Sequence, residues 1–229
     1  MINIVEFLKK SDVGEMGIGA MIIFIAMVLV AGIAAAVLVQ TANRLEIQAM
    51  ATGEQTKGEV ATGIRVIDIE GQYGYRVFNT QGAWRNCSRI QNMTLTVGPR
   101  AGSLDVDLST TVIEISNSSR KCILTWGGAS KYAWKPANGG IFRTTSVFDL
   151  GSYQFGVVEL EDADNSSTTT TPVLNRGDKV MITVNISACF FGLPERIDVW
   201  GQVIPEEGSP GYFSFRTPAT YTDIVYDLY

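Results

Sequence analysis

The sequence contains no histidine. That one absence removes Ser-His-Asp and Cys-His nucleophilic catalysis and takes away the commonest transition-metal ligand. The three cysteines, Cys87, Cys122 and Cys189, lack the CxxC spacing of zinc or redox sites. No phosphate-cradling Gly-rich loop, nucleophile elbow or HExxH pattern occurs. A net charge of −5 is the wrong sign for a nucleic-acid partner, which selects basic faces. These gaps point away from an enzyme and leave no cofactor and no metal site to expect.

Charge is also missing locally. From Met16 to Asn43 no Asp, Glu, Lys or Arg interrupts the chain. The run Met16 to Val39 exceeds the roughly 20 residues that a helix needs to cross a bilayer. It is also about twice the length of a secretory signal core. Lys9 and Lys10 precede it and would hold that end cytoplasmic, which places all that follows outside the cell. The pattern does not stop at the far edge of a span. Leu38, Ala42, Leu45 and Ala49 recur at helical spacing, so a helix is expected over residues 15–62, about 70 Å long at 1.5 Å per residue. A bilayer core accounts for only about 30 Å of that length. Small pairs four apart, Ala31/Ala35 and Gly32/Ala36, suit close helix–helix approach.

Beyond Thr62 the period changes from helical to alternating. "NMTLTV", "SLDVDLS", "TVIEIS" and "KVMITVNISACF" (the last being Lys179 to Phe190) alternate apolar and polar residues as half-buried strands do. Gly, Pro, Asn and Asp punctuate them at short intervals. The expected fold class is therefore α+β, a long N-terminal hydrophobic helix followed over residues 63–229 by an all-β immunoglobulin-like sandwich.

Asn-x-Ser/Thr sequons stand at Asn86, Asn92, Asn117, Asn165 and Asn185. If Met93, Leu95 and Val97 face the core, Asn92 points outward. Asn185 does the same when Val180, Ile182, Val184 and Ile186 face in. Asn117 and Asn165 sit in turn-like stretches that suit a glycan acceptor. Outside the cell two cysteines can pair, with Cys87 and Cys122, which flank a run of short strands, the expected pair. Three buried, unpaired thiols are the alternative. The segment "ELEDADNSS" gathers Glu159, Glu161, Asp162, Asp164 and Asn165 in the oxygen-rich chemistry of hard cations. It lacks the glycine and terminal glutamate of an EF-hand loop, so it reads as a solvated acidic loop.

The stretch "KKSDVGEMGIGAMIIFIAMVLVAGIAAAVLVQTANRLEIQAMATGEQTKGEVATGIRVIDIEG", Lys9 to Gly71, closely resembles archaeal flagellins, or archaellins. So does the ending "VIPEEGSPGYFSFRTPATYTDIVYDLY". The resemblance implies a type IV pilin-like leader over residues 1–14, cut by a membrane prepilin-type signal peptidase between Gly14 and Glu15. Val13 stands where the family often has a charged residue. Gly19 stands where type IV pilins carry a glutamate. The resemblance further implies that the helix is a membrane span only in transit. It would then enter the core of a self-assembled extracellular filament used for swimming, a homo-oligomer that also admits related archaellins, with the β-domain outside. The expected assembly face comprises Gly17, Ile18, Ile22, Ile25, Leu29, Gly32, Ala36, Leu38 and Leu45. An adhesive pilin and a membrane-anchored extracellular β-domain are the rival readings.

Overall fold

A computed structural model describes the backbone of residues 4–78, 84–136, 138 and 140–229, and the side chains of these except residues 4–16, 75–78, 84–87 and 145. The chain divides into two compact units, residues 1–55 and 56–229. Helix α1 (Ile4–Ala61) supplies the first unit and contributes its last turn to the second. Ala, the best helix former, is its commonest residue and offsets the lower propensity of its many Ile and Val residues. Its backbone runs unbroken through Gly14 and Glu15, whose side chains lie outside the described residues.

The second unit is built from β1 (Ile64–Phe78), β2 (Trp84–Pro99), β3 (Val106–Asp107), β4 (Val112–Asn117), β5 (Lys121–Trp126) and β6 (Tyr132–Trp134). The short helix α2 (Thr145–Phe148) follows, then β7 (Gln154–Glu161), β8 (Val173–Leu174) and β9 (Lys179–Asn185). Helix α3 (Ile186–Phe190), β10 (Asp198–Ile204), β11 (Gly211–Arg216) and β12 (Val225–Asp227) complete it. Among the described residues one hydrogen-bonded series runs β11-β10-β4-β5-β7-β9-β2-β1-β12, with β6 beside β7, and β3 pairs with β8 apart from it. The series turns at β5 and β7, a parallel contact of only two residue pairs, Thr125 with Gln154 and Trp126 with Phe155. The halves on either side of this turn share one core: Ile69, Met93, Leu95, Val157 and Ile182 from one, Ile113, Ile115, Leu124, Val199 and Phe213 from the other. A long helix followed by a β-sheet-rich domain is thus the architecture; the immunoglobulin-like comparison rested on strand spacing alone.

Two local departures from the expected strands have clear causes. The alternating run Lys179 to Phe190 is a strand only as far as Asn185. There the Asn185 Oδ1 accepts from the Ala188 amide at 3.1 Å, capping α3, and Phe191 ends that helix at φ 58°. The sheet is also covered on both faces over β7 and β9. Val158 and Met181 pack under Ile141, Val147 and Phe148, and the Thr183 hydroxyl donates to the Val147 carbonyl at 2.7 Å. Period-two reading assigns those positions to solvent, because the covering segment comes from elsewhere in the chain.

The exit from α1 is held by the chain's far end. Thr62 is buried, its carbonyl accepts from the Ser209 amide at 2.8 Å, and its hydroxyl accepts from the Leu104 amide at 3.3 Å. The Ile64 amide donates to the Ser209 carbonyl, and β12 pairs with β1 from Glu70 to Gln72. Gly208 sits at φ 98° against the Thr62 carbonyl, so a side chain there meets both a disfavoured backbone and a direct clash. Gly208→Ala is expected to cost at least about 2 kcal/mol of stability. Thermal unfolding of the full chain in mild detergent checks this, and an unchanged midpoint would show that the turn relaxes freely.

Candidate functional site

The largest surface feature is α1 itself. From Ile18 to Val39 its large apolar side chains are 48–68% exposed. At about 100° per residue, Ile18, Ile22, Ile25, Leu29, Gly32 and Ala36 share one sector, with Gly17 to its side. Leu38 and Leu45 lie on the opposite side of the helix. Met27 lies with them, and Ile23, Phe24 and Val30 occupy the directions between. The expected face is therefore part of a surface that is apolar all round, as in a helix made to be enclosed. The helix is long and apolar enough to cross a membrane by length and composition. Glycines inside a helix cost about 1 kcal/mol each relative to alanine. A side chain built at Gly17, Gly19 or Gly32 meets nothing within 4 Å. The chain's own packing gives these glycines no reason to be there, whereas close approach of another helix does.

The sequons fall into two groups. Asn117 opens the β4–β5 turn, its Oδ1 accepting from the Ser119 and Arg120 amides, and no described contact occupies its side-chain amide. Asn165 is exposed in a turn at φ 57°. Asn185, by contrast, does not face out. Its amide donates to the Phe148 and Leu150 carbonyls at 3.4 and 3.3 Å while its oxygen caps α3, because residues 148–150 cover this end of β9. Asn92 is half-buried, donates to Gln72 Oε1 at 3.0 Å, and its sequon threonine, Thr94, is fully buried. The side chain of Asn86 lies outside the described residues.

The cysteine pairing differs from expectation. Cys122 is bonded to Cys189, with α-carbons 6.1 Å apart. Cys87, whose side chain lies outside the described residues, is on β2, and β7 and β9 intervene between β2 and β5 in the sheet. Cys122, with its sulfur bonded to Cys189, is not open to Cys87. Helix α3, the element that the alternating pattern concealed, carries Cys189 to it.

The acidic segment is only partly solvated. Glu159 is 3% exposed; the Tyr132 hydroxyl donates to its carboxylate, and the Ser167 hydroxyl lies 3.2 Å from Tyr132 Oη. Asp162 and Asp164 are joined by Asp178, which sequence spacing did not connect to them, and one carboxylate oxygen of each lies within 4.8 Å of the others. The carboxylates of this trio already accept from the amides of Ala163, Asp164, Asn165, Ser166, Ser167 and Asn175, and from Asn175 Nδ2. Of the described residues this trio has the donor set for a hard cation; its amide contacts account for its geometry without one. Burial, reinforced by the Asp162 charge and opposed by the Tyr132 and Ser167 hydrogen bonds, raises the Glu159 pKa above the ordinary carboxylate value. The folded chain therefore keeps a proton that the unfolded chain releases. Glu159 favours folding most below the unfolded-chain pKa, and this contribution is lost as pH rises through the folded value. Glu159→Gln, which keeps an acceptor for Tyr132, is expected to raise the thermal midpoint at pH 7 relative to the parent and to lose that advantage near pH 4. Parallel pH-dependences would show that Glu159 stays ionised.

The archaeal-type flagellin family model matches residues 14–215. Flagellin B2 of Methanocaldococcus jannaschii is 39% identical over 220 residues, covering 96% of this chain and 95% of its own. Flagellin B3 of Methanococcus voltae is 33% identical over 244 residues, covering 96% and 97%. Among solved structures, the crystal structure of archaeal flagellin FlaB1 from Methanocaldococcus jannaschii superposes with a TM-score of 0.60 at 27% identity, over 73% of this chain and 97% of that one. The archaeal flagellum of Methanospirillum hungatei shares the fold with a TM-score of 0.56 at 13% identity, over 93% and 98%.

Proposed function

The chain belongs to the archaeal-type flagellin family and is a structural subunit of the archaeal flagellum filament, and from that premise we propose that α1 is its assembly element. The observation that carries this reading is a helix whose large apolar side chains from Ile18 to Val39 are exposed among the described residues. Burying each large side chain in a bundle of like helices contributes roughly 1.5–3 kcal/mol, and the run from Ile18 to Val39 supplies many of them. Successive copies meet through different patches, an arrangement that need not close and so extends as an open helical polymer. The subunit's role is then structural and extracellular, and swimming is what the polymer transmits.

The same reading assigns residues 1–14 to a leader removed by a prepilin-type peptidase between Gly14 and Glu15, with the helix lodged in the membrane only until assembly. Related archaellins sharing such a helix enter the same polymer. Of the sequons, Asn117 is the glycan acceptor this reading favours, since its side-chain amide makes no described contact; Asn165 is exposed, but its sequon serine, Ser167, is buried. N-terminal sequencing of filaments sheared from cells tests the assignment: a pelletable polymer starting at Glu15 is expected. Protein that keeps residues 1–14 and stays as monomers in detergent-extracted membranes would overturn it in favour of an anchored surface domain.

A further inference from the structure

Two grooves of opposite charge flank the Thr62–Gly63 exit from α1. One, about 680 Å³, is lined by Arg65 at the start of β1, Arg100 after β2, Arg176 in the turn before β9 and Lys179 at that strand's start. Lys179 is paired with Glu161 at 3.0 Å, and Asp178, at the groove's edge, is buried with its oxygens held by the Ala163 and Asn175 amides. Arg65, Arg100 and Arg176 are exposed, and among the described residues none stands in an ion pair. The other groove, about 240 Å³, is lined by Asp105, Asp107, Glu206 and Glu207. None of these carboxylates is in an ion pair among the described residues either. Gly63 lies between the two sets: a side chain built there would meet Arg100 Cδ at 2.9 Å and the Ser209 carbonyl, two residues after Glu207, at 2.7 Å.

Resting on the reading of the chain as a polymerising subunit, we propose that the arginine groove of one copy receives the Asp105/Glu206/Glu207 rim of the next copy in the filament. Four considerations support the match. Each patch is uncompensated within its own chain, and each is the complement of the other. Guanidinium groups present a planar fork suited to carboxylates and shed water more readily than ammonium groups. Like patches facing each other repel, so each patch meets its opposite on a neighbour, and such a contact made head to tail is the geometry that an open polymer requires. Finally, a chain of net charge −5 stacked on copies of itself accumulates repulsion, and a seam of opposite charges offsets it while fixing the register of neighbours. A free polyanion would satisfy the arginines alone and leaves the acidic groove without a role.

The test is a charge exchange in the full chain, read as filament yield from sheared cells. Reversing one side (Arg65→Glu, Arg100→Glu and Arg176→Glu) or the other (Asp105→Lys, Glu206→Lys and Glu207→Lys) is expected to lower yield by about tenfold or more, since several like charges then face each other. Combining both sets restores complementarity and is expected to restore filaments. Single-side reversals that polymerise at the parental level would overturn the proposal, as would a combined variant no better than either alone despite parental circular dichroism. A milder measurement avoids refolding effects: Arg176→Cys with Glu207→Cys, treated in assembled filaments with a short bis-maleimide, is expected to give a ladder of covalent multimers that neither single variant gives. Intact filaments without that ladder overturn the seam and leave the proposed function standing, whereas failure of the parent chain to polymerise sinks the proposed function itself. Loss of dextran sulfate binding with unchanged filament yield would reassign the groove to a soluble polyanion and likewise overturn the proposal.

Discussion

Leu29→Lys is expected to abolish filaments while leaving the precursor in the membrane. Leu29 sits mid-run and is 61% exposed in the isolated subunit, so the substitution empties no buried site among the described residues. In a bundle of like helices it loses the burial of a leucine, roughly 1.5–3 kcal/mol, and adds a charge to an apolar interior, about 3 kcal/mol on insertion scales. The sum, about 5 kcal/mol per subunit, corresponds to between three and four orders of magnitude in the concentration needed for assembly. Membrane insertion is less sensitive, because the summed transfer of the other apolar residues from Met16 to Val39 outweighs one lysine and the lysine stem reaches toward the interface. Fractionation of cells into membranes and sheared filaments, with Leu29→Met as the control of conserved volume, separates the two stages. Normal filaments from the lysine variant would mean that this turn of α1 faces water after assembly.

Cys189→Ser is expected to weaken the β-domain by about 4 kcal/mol. The Cys122–Cys189 bond closes a loop of 67 residues, and on the chain-entropy account such a cross-link removes about that much freedom from the unfolded state. For a domain of this size the midpoint falls by roughly 10 °C. The same drop should follow reduction of the parent, and reduction should not affect the variant further. Peptide mapping without reduction should return one species joining the peptides of Cys122 and Cys189. A Cys87–Cys122 species would contradict the pairing in the structure. An oxidising exterior preserves a bond of this kind, in keeping with a surface structure.

Helix α1 was legible in the sequence because an uncharged run longer than a bilayer, followed by a sustained 3.6-residue period, has few other physical meanings. Strand β4 was legible within a residue, since "TVIEIS" alternates and ends beside Asn117. Helix α3 was not, because Ile186 to Phe190 continues an alternating pattern and only the Asn185 cap, seated under residues 148–150, diverts it. The cysteine partner, the burial of Glu159 and the arrival of Asp178 beside Asp162 were hidden for one reason. Each joins residues that the fold brings together from separate segments, and spacing along a chain carries no information about that. The paired opposite charges around Gly63 belong to the same class.

The two family-like ends of the chain show the division most clearly. Composition and period alone dictate that residues 15–62 form an oily rod and that alternating strands follow, because those properties are local and each residue's own chemistry enforces them. That the turn before β11 grips Thr62, that β12 closes onto β1, and that three arginines and four carboxylates flank the same exit come from folding, where the sheet's hydrogen-bond register, and not proximity in sequence, sets which side chains meet.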